Sequence, residues 1–109
     1  MRGKVLCMGK TWGPDDVIKV QLIEKYEGRG MMTKYSIISN QPHWDGNNWF
    51  RLRGARNNDA RAMIKVTHLC GSHGPARKCR EAHIYKTETE TELNNNGEER
   101  PWEYCAQGN

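Results

Sequence analysis

The chain is short of apolar residues. Only 36 % of its 109 positions carry one, and no run approaches the ~20 apolar residues that span a bilayer. A transmembrane helix is therefore excluded. The start, Met1-Arg2-Gly3-Lys4-Val5-Leu6-Cys7, lacks the long apolar stretch of a secretory signal, so an intracellular setting, cytoplasmic or nuclear, is expected. Internal repeats are absent, and the one low-complexity tract is Thr87-Glu88-Thr89-Glu90-Thr91-Glu92. A length of 109 residues gives room for one domain, 1–109, with one modest core. A core this poor in apolar side chains needs a staple, either a metal or disulfides. The four cysteines allow two disulfides by three connectivities. A reducing compartment favours metal.

What the sequence does have is concentrated. Cys70 and Cys79 lie with His68, His73 and His83 inside sixteen residues. Thiolate and neutral imidazole are ligands that Zn²⁺ prefers. Cys70 and Cys79 bracket an eight-residue loop, Gly71 to Lys78. His83 follows Cys79 at i+4, and the two converge on one ion if the chain turns tightly or is helical. A tetrahedral ion then has one vacancy, for which Cys7, Cys105 and His68 compete. With His68 on the metal, the module is purely structural. With Cys7 or Cys105 there, His68 is free.

A free imidazole suits the activation of water in phosphodiester hydrolysis near pH 7. The leaving oxygen then needs a Lewis acid such as Mg²⁺, which accepts few protein ligands. Thr87 can N-cap a helix with Glu88 and Glu90 in its first turn and Leu93 facing inward. Asn94, Asn95 or Asn96 would then sit on its last turn, close to a metal. The plainer reading of Asn94-Asn95-Asn96-Gly97 is a helix stop.

Charge suggests a partner. Seventeen Lys and Arg against thirteen Asp and Glu give +4 overall. Between Arg51 and Arg80 the cations dominate: Arg51, Arg53, Arg56, Arg61, Lys65, Arg77, Lys78 and Arg80 stand against Asp59 alone. The acids gather from Glu88 to Glu103. A basic block suits a polyphosphate, nucleic acid above all; the plainer reading is an unevenly charged solvated surface. Strands are expected at residues 17–23, 31–39, 49–53 and 62–67, from β-branched content and alternation. A helix capped by Asp16 is the alternative for the first of these. In the third, Phe50 and Leu52 share one face, and Trp49, Arg51 and Arg53 the other. Such an arginine face can enter a DNA major groove, or it can simply be solvated.

Thr67-His68-Leu69-Cys70, Cys79, His83-Ile84, Asn94 to Asn96, Arg100 and Cys105 resemble the His-Cys box homing endonucleases. These belong to the wider ββα-metal, or His-Me finger, nucleases. The resemblance covers residues 66–105, with Cys7 upstream. It implies an α+β fold: antiparallel strands over 1–66 forming a DNA-contacting sheet, then a zinc-stapled ββα-metal motif with a short helix over 67–105. It implies a Mg²⁺-dependent endonuclease acting on double-stranded DNA as a homodimer. His68 would be the general base, and Cys7, Cys70, Cys79 and His83 would hold a structural Zn²⁺. Asn94 or Asn95 would hold the catalytic Mg²⁺, and Arg51, Arg53 or Arg61 would sit near the scissile phosphate. Arg51, Arg53, Arg56 and Lys65 would grip DNA. Against the nuclease stand a non-catalytic zinc-stapled nucleic-acid-binding module and, third, a disulfide-stapled extracellular binding protein. The C-terminal Pro101-Trp102-Glu103-Tyr104 would form an interface or swapped tail.

Overall fold

Two five-stranded sheets carry the chain in a computed structural model that describes residues 1–27, 33–54, 61–71 and 78–106. In chain order the elements are β1 (Arg2–Cys7), β2 (Lys10–Trp12), β3 (Lys19–Glu27), β4 (Thr33–Ser39) and β5 (His43–Trp44). Then come β6 (Phe50–Arg51), β7 (Arg61–His68), β8 (Lys78–Ile84), β9 (Thr89–Glu92), β10 (Glu98–Pro101) and α1 (Trp102–Ala106). The first sheet runs β2-β1-β6-β5, with β9 also paired to β1. The second runs β10-β8-β7-β3-β4. Every pairing is antiparallel except β1 with β9.

Alternation explains how so polar a chain forms sheets. In β1, Gly3, Val5 and Cys7 are buried, while Arg2, Lys4 and Leu6 face outward. A period of two lets charged residues share a strand with core residues. The core lies between the sheets. The first contributes Val5, Phe50 and Leu52, and the second Val20, Leu22, Ile64, Val66, Ala82 and Ile84. Gly3 belongs to this contact, because a Cβ there would come within 2.9 Å of the Phe50 ring. Met8 and Gly9 turn β1 into β2 with positive φ at both positions, 51° and 80°, as a two-residue hairpin loop requires. The Glu92 carboxylate caps that turn, accepting the Met8 and Gly9 N–H groups at 2.8 Å each.

The expected α+β fold with a zinc-stapled ββα-metal motif is not what forms. The described chain is mostly antiparallel β-sheet with one five-residue helix, and that helix lies at 102–106. The helix expected from Thr87 is the strand β9. The Thr-Glu repeat has a period of two, which places Thr89 and Thr91 half-buried and Glu90 and Glu92 in solvent. Pairing along β1 satisfies that pattern, whereas a helix would scatter the threonines around its circumference. The strand expected at 17–23 begins two residues later and runs on to Glu27, so the capped helix does not form. The expected strand at 62–67 is β7, one residue longer at each end. Residues 31 and 32 of the expected second strand lie outside the described residues. The described helix is far too short to cross a membrane.

The staple is disulfide. Cys7 bonds Cys70 and Cys79 bonds Cys105, and no cysteine is left free. The first bond ties the end of β1 to the turn after β7, and so joins the two sheets across 63 residues of sequence. Replacing Cys7 and Cys70 together by Ala is expected to lower stability by about 2–5 kcal/mol, the range for native disulfides of small domains. Urea unfolding measures this, and an unchanged midpoint would show the tie to be dispensable.

Candidate functional site

The structure brings His68 against the 94–96 run but closes the ring off from solvent. His68 ends β7 with its ring fully buried, at 0 % exposure. Its Nδ1 accepts the Cys70 N–H at 3.1 Å, and its Nε2 lies 2.9 Å from the Asn96 carbonyl. That pair of contacts fixes the neutral tautomer with the proton on Nε2, donated to Asn96. Burial pulls the imidazole pKa below its ordinary value. The Asn96 carbonyl opposes that shift, and the Arg80 charge adds to it. The lone pair that would take a proton from water is occupied, and water does not reach it.

Nor do the expected metal ligands converge. Cys7, Cys70 and Cys79 are oxidised in disulfides and offer no thiolate for Zn²⁺. Cys79 and His83 share strand β8, where four residues span about 13 Å, too far for one ion. The proposed Mg²⁺ ligands fare no better. Asn94 and Asn95 sit in a turn, with Asn95 at a positive φ of 59°, and the Asn94 N–H donates to Glu92. Among the described residues, no three His, Cys, Asp or Glu side chains are grouped to hold a metal ion. Both metals are therefore withdrawn. His73 and Arg56 lie outside the described residues.

A different site stands on the outer face of the first sheet. Phe50 and Leu52 are fully buried, and this turns Arg51 and Arg53 to the opposite side. Strand register places His43 opposite Arg51, and Arg51 opposite Arg2. Three cationic or basic side chains thus stand in one row. With Asp45, Trp49, Ser39, Gln41 and Arg53 they line a cavity of about 580 Å³.

The loop before β6 is held firmly. Asp45 Oδ1 accepts the N–H groups of Asn47 at 2.8 Å and Trp49 at 3.1 Å, and the Asp45 N–H donates to the Trp49 carbonyl at 2.9 Å. Those two donors hold the Asp45 carboxyl below its usual range, burial opposing them and Arg2 assisting. Trp49 is thereby placed under cations. The Arg2 guanidinium lies 4.3 Å from its ring centroid and the Lys4 ammonium 5.8 Å, both within cation–π range.

Neutralisation across this row is uneven. Arg2 pairs with Glu88 at 2.8 Å and with Asp45 at 3.4 Å. Arg51 and Arg53 are exposed and have no carboxylate partner among the described residues. Like charges placed opposite each other in a sheet repel, and a bound anion relieves that repulsion. Guanidinium forks grip phosphate oxygens in pairs, so the chemistry offered is oxyanion binding beside an aromatic ring.

Arg61 and Lys65, expected near the same ligand, belong to the second sheet. Arg61 is exposed at the start of β7, opposite Lys25. Lys65 is spent on Glu81, whose nearly buried carboxylate accepts from Lys65 Nζ at 3.0 Å and Arg100 Nε at 2.9 Å. Burial pushes the Glu81 pKa up, and the bonds from Arg100 and Lys65 outweigh it, so the net shift is downward. Sequence reasoning missed Arg2 and His43 as partners of Arg51. The available signal was the alternation of Arg2 with Gly3, Val5 and Cys7.

Compared with known protein families, curated proteins and solved structures, the chain matches none.

His68 stays neutral in the fold, whereas the unfolded chain takes up a proton below pH 6.5. Its contribution is therefore complete above pH 6.5 and declines as pH falls below it. Glu81 adds a second loss below pH 4.5, as pH falls toward its lowered folded value. Stability measured by denaturant across pH 3–8 is expected to show both declines. His68→Ala is expected to weaken the first, His83 keeping a share of it through its own lowered pKa, and to cost about 2–4 kcal/mol at pH 7, through lost packing and the unpaired Cys70 N–H and Asn96 carbonyl. A variant as stable as wild type would show that the ring is not a structural pin.

Proposed function

We propose that the chain is a non-catalytic nucleic-acid-binding module that holds a single strand across the outer face of the first sheet. One observation carries this: Arg51 and Arg53 stand unneutralised on a fixed face beside Trp49 and His43. Single-strand binders combine cations that track the backbone with aromatic rings on a sheet or barrel surface. The net charge of +4 adds attraction at a distance. A double-stranded target read by an arginine ribbon suits the face less well. Strand β6 is two residues long and lies between β1 and β5, so it does not project into a groove. An endonuclease activity would need a base other than the buried His68, whose Nδ1 already accepts the Cys70 N–H.

Two disulfides favour an oxidising compartment over the reducing cytoplasm or nucleus suggested by the start of the chain. The nucleic acid in question is then one met outside reducing compartments.

Fluorescence anisotropy with a labelled oligonucleotide tests the reading across a salt series. Arg51→Ala and Arg53→Ala are each expected to reduce the salt slope by about 0.7, the value per phosphate for a single strand. Trp49→Ala is expected to cost about 1–3 kcal/mol if a base stacks there. Binding to heparin as tight as to the oligonucleotide, or an Arg51→Ala/Arg53→Ala variant binding like wild type, would refute the proposal.

A further inference from the structure

Among the described residues, the second sheet ends in a long edge strand, β4. Five strands of the two sheets are edges among the described residues: β2, β5, β9, β10 and β4. Four of them carry the devices by which proteins prevent edge pairing. Strand β5 is two residues long and β2 three. Strand β9 has four residues, two of them glutamates. Strand β10 has Glu98 and Glu99 and ends at Pro101, which has no N–H to offer. Strand β4 alone is long, at seven residues, and its one charge, Lys34, lies near an end. Its bulge at Ile38, between the pairs Leu22–Ser39 and Ile23–Ile37, disturbs the other end, so the edge is regular from Lys34 to Ile37.

The outward face of this edge is apolar. Tyr35 and Ile37 project on the side of Ile23 and remain 55 % and 51 % exposed. Scattered exposed hydrophobics are ordinary, but two side by side on a free edge invite a strand.

The sequence of the edge is self-complementary. Placed antiparallel to a copy of itself about Ser36, β4 sets Tyr35 opposite Ile37 of the copy and Ile37 opposite its Tyr35. Aromatic against β-branched is a favoured cross-strand pair, and the two-fold supplies it twice. In the same register Lys34 falls beside the bulge at Ile38 of the copy, and the two lysines lie about 14 Å apart, four residues along a strand. No like charges oppose each other. A two-fold is also the symmetry that makes such an interface closed.

We propose that β4 pairs with β4 of a second copy of this chain about Ser36, joining two five-stranded sheets into one of ten strands. The interface uses β4 and leaves the C-terminal segment out. It shares only the end of β4 with the proposed nucleic-acid face, at Ser39, while Arg51 and Arg53 lie on the other sheet.

Edge pairing buries a modest area, so a concentration-dependent dimer is expected. Light scattering over about 1 µM to 1 mM should show the mass rising from 12.6 kDa toward twice that value. Ile37→Lys should remain at the monomer mass with an unchanged circular dichroism spectrum, its position being half exposed. Ser36→Cys should form an intermolecular disulfide under mild oxidation, because residue 36 opposes itself. Lys34→Cys should not, because its sulfur is beyond reach. A wild type monomeric throughout, an Ile37→Lys variant that still dimerises, or Lys34→Cys cross-linking as readily as Ser36→Cys would each overturn the proposal.

Discussion

The bond between Cys7 and Cys70 is the constraint around which the rest is arranged. It fastens the last residue of the central strand of one sheet to the turn that leaves the middle of the other. His68 works at the same junction. One ring nitrogen takes the Cys70 N–H and the other reaches the Asn96 carbonyl. Gly71 lies against Asn94 with a positive φ of 79°, where a Cβ would come within 2.5 Å of the amide oxygen. Three segments distant in sequence, 7, 68–71 and 94–96, thus meet at one closed corner. With so few apolar residues, burial alone leaves little margin, and covalent closure of a long loop restricts the unfolded chain instead.

The two sheets divide the remaining work. The first is built of short strands, and its outer face is charged and aromatic. Its fixed loop at 45–49 and the pairing of Arg2 with two carboxylates make it a rigid surface on which Arg51 and Arg53 remain available. The second sheet has the longer strands, and one group of its charges is satisfied internally. Lys65, Arg100 and Glu81 satisfy each other, while the Cys79–Cys105 bond holds α1 against β8. Cations count toward a ligand only where no carboxylate has already claimed them, and that distinction separates Arg51 from Lys65.

Part of this was legible in the sequence. The alternation of 49–53 gave the buried pair Phe50 and Leu52 and the outward arginines, and β-branched content gave β3 and β7. The approach of Cys7 to the Cys70 region was also readable, as a shared partner. Spacing does not record oxidation state, however, and two thiolates near a metal look the same as two halves of a cystine. Strands β1 and β8 were hidden because each mixes core residues with Arg, Lys or Glu on the solvent face, and β10 because it carries no core residue at all. The tract at 87–92 misled for a related reason. Thr followed by glutamates is both a capped helix start and a half-buried strand, and only the neighbouring β1 decides between them. The resemblance built on His68, Cys70, Cys79 and His83 rested on residue types whose chemistry depends on exposure. Burial of His68 and oxidation of the cysteines remove that chemistry.

Intact mass under denaturing, non-reducing conditions tests the central claim, that all four sulfurs are spent on two covalent ties. The native chain is expected to be four hydrogens lighter than the reduced one, with no free thiol and, by elemental analysis of the folded protein, no zinc, and peptide mapping should link Cys7 to Cys70 and Cys79 to Cys105. A chain of fully reduced mass carrying one zinc per molecule would contradict it.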